Sequence, residues 1–221
     1  MTVSDRILSI KKTIEEARLK SPNKDDVVIV GVTKNHPVEA ANEIISNGIS
    51  IIAENRVQAM KEKIDSSLLL PSKRHLIGHL QTNKVKLSLD LFDLIQSVDS
   101  ERLLLAINKE AAKKSIVSEI FFQVNIAREE IKFGMFKEDL PEMLSLASEL
   151  ENIRVSGLMS IMPVETREKY YQDMYELFMN EKTKSYKNVD LKFLSMGMSG
   201  DYIQAVSCGA NMVRLGRCLF N

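Results

Sequence analysis

A lysine placed two residues beyond a short β-branched run is the first feature of this 221-residue chain that invites chemistry. The run, Val27 to Val32, has no helical periodicity and reads as a parallel strand buried on both faces. Lys34 shares its pleat parity with Val28 and Val30, so it should continue an inward-facing row where the strand ends. Such an amine either snorkels into solvent or sits in a pocket, where partial desolvation leaves a lone pair available to a carbonyl carbon. A second chemical centre lies near the other end. Leu194 to Asp201 passes through two glycines and two serines and opens a helix, presenting backbone N–H groups as a cradle for phosphate. Met212 to Arg217 leaves another apolar run through Gly216. Either Gly/Ser turn alone is commonplace; the two together with an inward lysine make a stronger pattern.

These residues need a frame. Asp5 to Leu19 carries apolar positions at helical spacing and stops at Ser21-Pro22-Asn23. Helical and strand-like segments then alternate. Strands are expected at Val27–Val32, Ile49–Ile52, Lys73–Ile77, Leu94–Val98, Ile120–Asn125, Arg154–Leu158, Lys192–Ser195 and Met212–Leu215. The intervening helices are His36 to Asn47, Glu54 to Ile64, Leu80 to Leu89, Ser100 to Lys114, Lys137 to Leu150, Glu165 to Lys184 and Gly200 to Ser207. Short joints and the absence of a Pro/Ser-rich linker favour one domain, residues 1–221, folded as a closed α/β barrel of the (β/α)8 TIM type. The leading helix supplies the eighth. An open doubly wound sheet is the other topology, and no GxGxxG follows the first strand to support it. In a barrel the site lies at the C-terminal ends of the strands, where Lys34 and both Gly/Ser turns fall.

Bulk properties narrow the partners. Lys plus Arg and Asp plus Glu each number 30, so no net charge draws the chain toward nucleic acid or an anionic membrane. No apolar stretch approaches a signal peptide or a membrane span, and a cytoplasmic location is expected. Cys208 and Cys218 lack CxxC spacing and read as reduced structural residues.

The residues also carry a family likeness. Gly31-Val-Thr-Lys34 with Pro37, Glu54-Asn-Arg-Val-Gln58, His75-Leu-Ile-Gly78 with Leu80-Gln81 and Asn83-Lys84, and Ser97-Val-Asp99 form its first half. Val124-Asn-Ile126 with Lys132-Phe-Gly134, Gly157-Leu-Met159 with Pro163, Met196-Gly-Met-Ser199 with Asp201, and Val213-Arg-Leu-Gly216 complete it. In that order they resemble the YggS/PROSC family of pyridoxal 5′-phosphate (PLP) homeostasis proteins over nearly the whole chain. The resemblance implies a barrel similar to the N-terminal barrel of alanine racemase, the fold-type III PLP architecture. It further implies that Lys34 forms an imine with PLP, that Ser199 with the backbone around Met198 and Gly216 holds the phosphate, that Arg214 faces the pyridine nitrogen, and that Asn55 lines the ring.

The match has departures. Ala53 stands where Gly usually precedes the Glu-Asn pair and is expected to tighten the turn beside Asn55. Gln96 stands where a His is common, and Ile203 where an acidic residue is frequent, with inward packing as its alternative role. His75 and His79 have metal-ligand spacing, but the intervening Leu-Ile-Gly reads as a strand end and no Cys or Glu completes a set, so no metal is expected. His36 is expected to cap a helix or meet solvent, and Asp99 to cap the next helix. Met159, Met162, Met196 and Met198 are expected as adaptable packing at the mouth. The charge-rich Arg167 to Lys187 reads as a solvated helix face.

Three functions compete. A PLP carrier would hold the aldehyde and pass it to PLP-requiring apoenzymes without substrate turnover, with no catalytic residue to name. A fold-type III amino-acid racemase needs a second positioned base, which racemases take from a further β-domain; the sequence given ends at Asn221, soon after the eighth strand. A lysine-imine aldolase would use the phosphate turns for a sugar phosphate. Nothing in the leading helix or the C-terminus suggests an oligomerisation element, and a monomer is expected.

Overall fold

A computed structural model describes residues 2–163 and 168–221. Helix α1 (Val3–Lys20) starts at a capping box in which the Thr2 hydroxyl accepts from the Asp5 N–H and the Asp5 carboxylate accepts from the Thr2 N–H. Its buried stripe, Val3, Ile7, Ile10, Ile14 and Ala17, follows the i, i+3/i+4 spacing of one helical face. The barrel strands then follow: β1 (Val28–Val32), β2 (Ile51–Glu54), β3 (Lys73–Leu76), β4 (Leu94–Val98), β5 (Ser118–Gln123), β6 (Ile153–Met159), β7 (Val189–Met198) and β8 (Met212–Leu215). All neighbours are parallel, and β8 pairs with β1, so the sheet closes. The open-sheet alternative is excluded by that pairing.

The connecting helices are α2 (Val38–Ser46), α3 (Val57–Asp65), α4 (Val85–Leu91), α5 (Glu101–Lys113), α6 (Leu140–Ser148), α7 (Glu168–Lys182) and α8 (Tyr202–Ser207). A 3₁₀ turn, Thr82–Lys84, leads into α4, and a four-residue α9 (Arg217–Phe220) follows β8. The expected helix start at Glu165, and part of the charged stretch from Arg167, lie outside the described residues. As anticipated, α1 completes the helical ring: it packs on α8 and α9, and its Arg6 Nε donates to the Leu219 carbonyl at 2.9 Å.

Strand alternation divides the core in two. Val30, Ala53, Leu94, Phe121, Met159 and Met212 fill the barrel lumen. Their neighbours of opposite pleat parity, such as Ile52, Leu76, Ile95, Phe122 and Val213, face the helices. Ala53 therefore belongs inside β2 with its methyl in the lumen, and not to a turn beside Asn55 as expected. Met196 likewise packs in the outer layer, away from the mouth, while Met159 lies in the lumen.

Candidate functional site at the barrel mouth

The β1 end shows how the lysine is presented. The ladder continues one bond past the strand, from the Thr33 N–H to the Ala53 carbonyl at 3.0 Å. The His36 N–H then donates to the Thr33 carbonyl at 3.0 Å, closing a turn in which Asn35 adopts φ 64°. Lys34 sits on this turn and is exposed, so of the two placements open to it the amine takes the one at the solvent-facing rim. The tight turn carries it past the last inward position, Val32.

Beneath the turn is a buried ion pair. Glu54, fully buried, accepts at Oε1 from the Thr33 hydroxyl (2.7 Å) and from Lys63 Nζ of α3 (2.8 Å). Glu54 Oε2 has no partner among the described residues. The pair ties the ends of β1 and β2 to α3 on the outer side of the barrel. Asn55, directly after Glu54, is half-buried at the mouth. Its backbone is approached closely by Gly78, where an added Cβ would fall 2.1 Å from the Asn55 carbonyl oxygen; only glycine fits there.

The two Gly/Ser turns meet at one corner. The Ser199 hydroxyl accepts from the N–H groups of Gly216 (3.2 Å) and Cys218 (3.3 Å), at the start of α9. Two backbone donors thus converge on one oxygen, an arrangement suited to an anion's oxygens. Gly197, at φ 93°, lets α8 close on β7: a Cβ there would lie 2.6 Å from the Ala205 Cβ. The Met198 N–H is already given to Asp201 Oδ1 (2.6 Å), whose Oδ2 accepts from the Tyr171 hydroxyl (2.6 Å). The expected phosphate-binding positions Met198, Ser199 and Gly216 thus meet at one corner, with the Met198 N–H held by Asp201 and the Gly216 and Cys218 N–H groups held by the Ser199 hydroxyl. This corner adjoins the lysine turn, because His36 stacks on Phe220 of α9 at 3.9 Å. His36 is thus a ring contact and not a helix cap.

Arg214 lies between the two. Its Cα pairs with that of Val30 and its side chain enters the lumen, 3% exposed. Nη1 donates to the Ser195 carbonyl (2.8 Å) and hydroxyl (2.9 Å), and Nη2 to the Ser160 carbonyl (2.8 Å). Nε has no protein partner among the described residues. Burial pulls this guanidinium down to about 10, partly offset by the Asp201 charge, so it stays cationic at neutral pH.

A polar line across the lumen escaped the sequence reading. Ser195 of β7 donates to Gln96 Oε1 of β4 at 2.7 Å, and Gln96 Nε2 lies 3.0 Å from His75 Nδ1 of β3. The readable sign was a polar residue at lumen parity on each of three strands. Burial drives the His75 imidazole down to about 4 from 6.5, and Asp93 and Lys73 act more weakly in opposite directions. Because the folded value is the lower one, stability is complete above pH 6.5 and is lost as pH falls toward 4, by about 3 kcal/mol in all. Chemical denaturation between these pH values should show that slope, and His75→Gln should remove its share of it.

The remaining candidates scatter. His79 stacks on Phe133 at 4.0 Å and lies 3.7 Å from Asp99, so Asp99 meets a histidine and makes no helix cap; Ser100 takes the N-cap position of α5. His75 and His79 point to different surroundings, and no metal-binding cluster occurs among the described residues. Ile203 is 47% exposed, so it does not pack inward. Both cysteines are free thiols pushed upward by burial.

Comparison with known proteins decides the family. The description "Alanine racemase, N-terminal domain" matches residues 9–221. A pyridoxal phosphate homeostasis protein of Aquifex aeolicus is 36% identical across 100% of this chain and 98% of its own. This chain belongs to the pyridoxal phosphate homeostasis protein family. Among solved structures, PipY of Synechococcus elongatus, a protein also solved with PLP bound, superposes with a TM-score of 0.88 at 28% identity over 100% of both chains. The PLP-bound form of PipY gives 0.81. Alanine racemase of Clostridium difficile shares the fold at a TM-score of 0.73 and 17% identity, with 95% of this chain matching 57% of that one. Within the pyridoxal phosphate homeostasis family, then, the barrel is complete and its mouth carries a lysine, a buried arginine and an N–H corner on three adjacent strands.

Proposed function

We propose that this chain binds PLP and acts in PLP homeostasis as a carrier without substrate turnover. The observation that carries the reading is the adjacency, on β7, β8 and β1, of a converging N–H corner, a buried arginine with Nε unspent, and an exposed primary amine. PLP presents the three complementary groups: a phosphate, a pyridine nitrogen that accepts a hydrogen bond, and an aldehyde. The aldehyde supplies the capacity for reversible covalent attachment to an amine. Lys34 provides that amine, Ser199 with the backbone around Met198, Gly216 and Cys218 holds the phosphate, and Asn55 lines the ring. PipY, which has been solved with PLP bound, supports PLP binding through its likeness to this chain.

Arg214 sets the chemical character of the site. A guanidinium only donates, so a ring nitrogen held against it receives a hydrogen bond and no proton. The ring is then a weak electron sink, which restrains carbanion chemistry at a bound amino acid. That favours holding and release over racemisation, and PLP-requiring apoenzymes are the natural recipients. The reading places a monomer in the cytoplasm.

The test is a visible absorption spectrum of the protein with PLP, before and after borohydride, with mass mapping of the reduced residue. A reducible band mapped to Lys34, and no α-proton exchange of amino acids in deuterated water, are expected. A protein that cannot be loaded with PLP overturns the reading, and sustained α-proton exchange replaces the carrier with a racemase.

A further inference from the structure

The polar line through the lumen has only one consistent hydrogen-bond direction. Arg214 donates and cannot accept, so the Ser195 hydroxyl is the acceptor in the 2.9 Å bond from Nη1. The hydroxyl's single proton must go elsewhere, and Gln96 Oε1 is 2.7 Å away. That fixes the amide: Nε2 faces His75 Nδ1 at 3.0 Å and the Met212 sulfur at 3.4 Å. An amide nitrogen only donates, so Nδ1 accepts and the imidazole proton sits on Nε2. Turning the amide over would leave Ser195 accepting twice, with its own proton unpaired in a site that excludes water: Gln96 and Ser195 are fully buried.

We propose that Ser195, Gln96 and His75 form a one-way hydrogen-bond chain that orients Arg214 and keeps every mobile proton of the lumen pointed away from it. These three are positioning residues. The chain begins at the two donors of Nη1, which lock the guanidinium plane against β7, and it ends on a neutral imidazole. The charged groups that act on that imidazole are Asp93 and Lys73, which oppose each other, and burial outweighs both. A ring nitrogen seated at Arg214 accordingly has no proton donor behind the guanidinium, so the lumen itself enforces the unprotonated ring. For what Arg214 faces, the inference rests on the PLP reading.

The experiment separates the two. Imidazole nitrogen spectra of the cofactor-free protein, recorded between about pH 5 and 8, report the His75 tautomer. Neutral His75 with the proton on Nε2 is expected throughout. Gln96→Glu puts an acceptor where the amide donated, so the proton should move to Nδ1 or the ring should become charged. PLP titration then reads the far end of the chain: Ser195→Ala should weaken binding about tenfold and shift the visible band, and Ser195→Thr, which keeps the hydroxyl, should restore both. An Nδ1–H tautomer in the unmodified protein overturns the chain, as does a Ser195→Ala variant that binds PLP with unchanged affinity and spectrum. If the unmodified protein takes up no PLP, the functional reading fails and with it the role toward the ring, while the tautomer still decides whether the chain exists.

Discussion

Lys34→Ala should abolish the borohydride-trapped adduct outright and weaken PLP binding by about 100-fold, or ~2.7 kcal/mol. The loss is confined to the covalent tie, because the Ser199, Gly216 and Cys218 corner and the Arg214 guanidinium are built from β7, β8 and α9 and do not lean on the lysine. Fold stability should hardly move. Lys34 is exposed and makes no hydrogen bond or ion pair among the described residues, so a change within about 0.5 kcal/mol is expected. Absorbance titration and mass mapping after reduction give the first result, and urea denaturation the second. Full occupancy with the native visible band would show that the amine has been assigned to the wrong residue.

Lys63→Ala should be the most damaging substitution for stability, at about 3–5 kcal/mol. Removing the ammonium leaves Glu54 fully buried with only the Thr33 hydroxyl, while Oε2 already lacks a partner. A neutral replacement of both partners, Glu54→Gln with Lys63→Met, should recover most of that loss, because the cost arises from an uncompensated charge more than from a missing attraction. The effect should also reach the site. Thr33 and Glu54 immediately precede Lys34 and Asn55, so loosening the pair frees the lysine turn and should weaken PLP binding in any Lys63→Ala protein that remains folded. Equilibrium denaturation is the measurement. A loss below about 1 kcal/mol would mean that water or a rearranged side chain already meets the Glu54 carboxylate.

Much of this was legible along the chain, and the misreadings share a cause. Parity along β1 correctly set Val28 and Val30 in the lumen, yet Lys34 left that row because a turn with Asn35 at φ 64° follows the strand. Ala53 was read as a turn residue because its strand runs to Glu54, two positions beyond the apolar run that marked it. Asp99 precedes a helix, which suggested a cap; its carboxylate instead turns toward His79 of a neighbouring strand's loop. Each error concerns a boundary or a partner from another element. Helix and strand identity survive such errors because they rest on periodicity summed over many residues, whereas a boundary rests on one or two.

The sequence by itself determined the alternation of strands and helices, the inward rows, and the presence of an amine and two N–H-rich turns at strand ends, because pleat and helical periods are local properties of the chain. Tertiary structure decided the rest. Closure of β8 on β1 set Arg214 beside Val30, and the pairing of β7 with β8 brought Ser199 to the N–H groups of Gly216 and Cys218. Closure also aligned His75, Gln96 and Ser195, drawn from three strands, into one line ending on Arg214. The longest of these contacts, Gln96 to Ser195 and Val30 beside Arg214, join strands far apart in the chain, and their geometry follows from the register of the closed barrel.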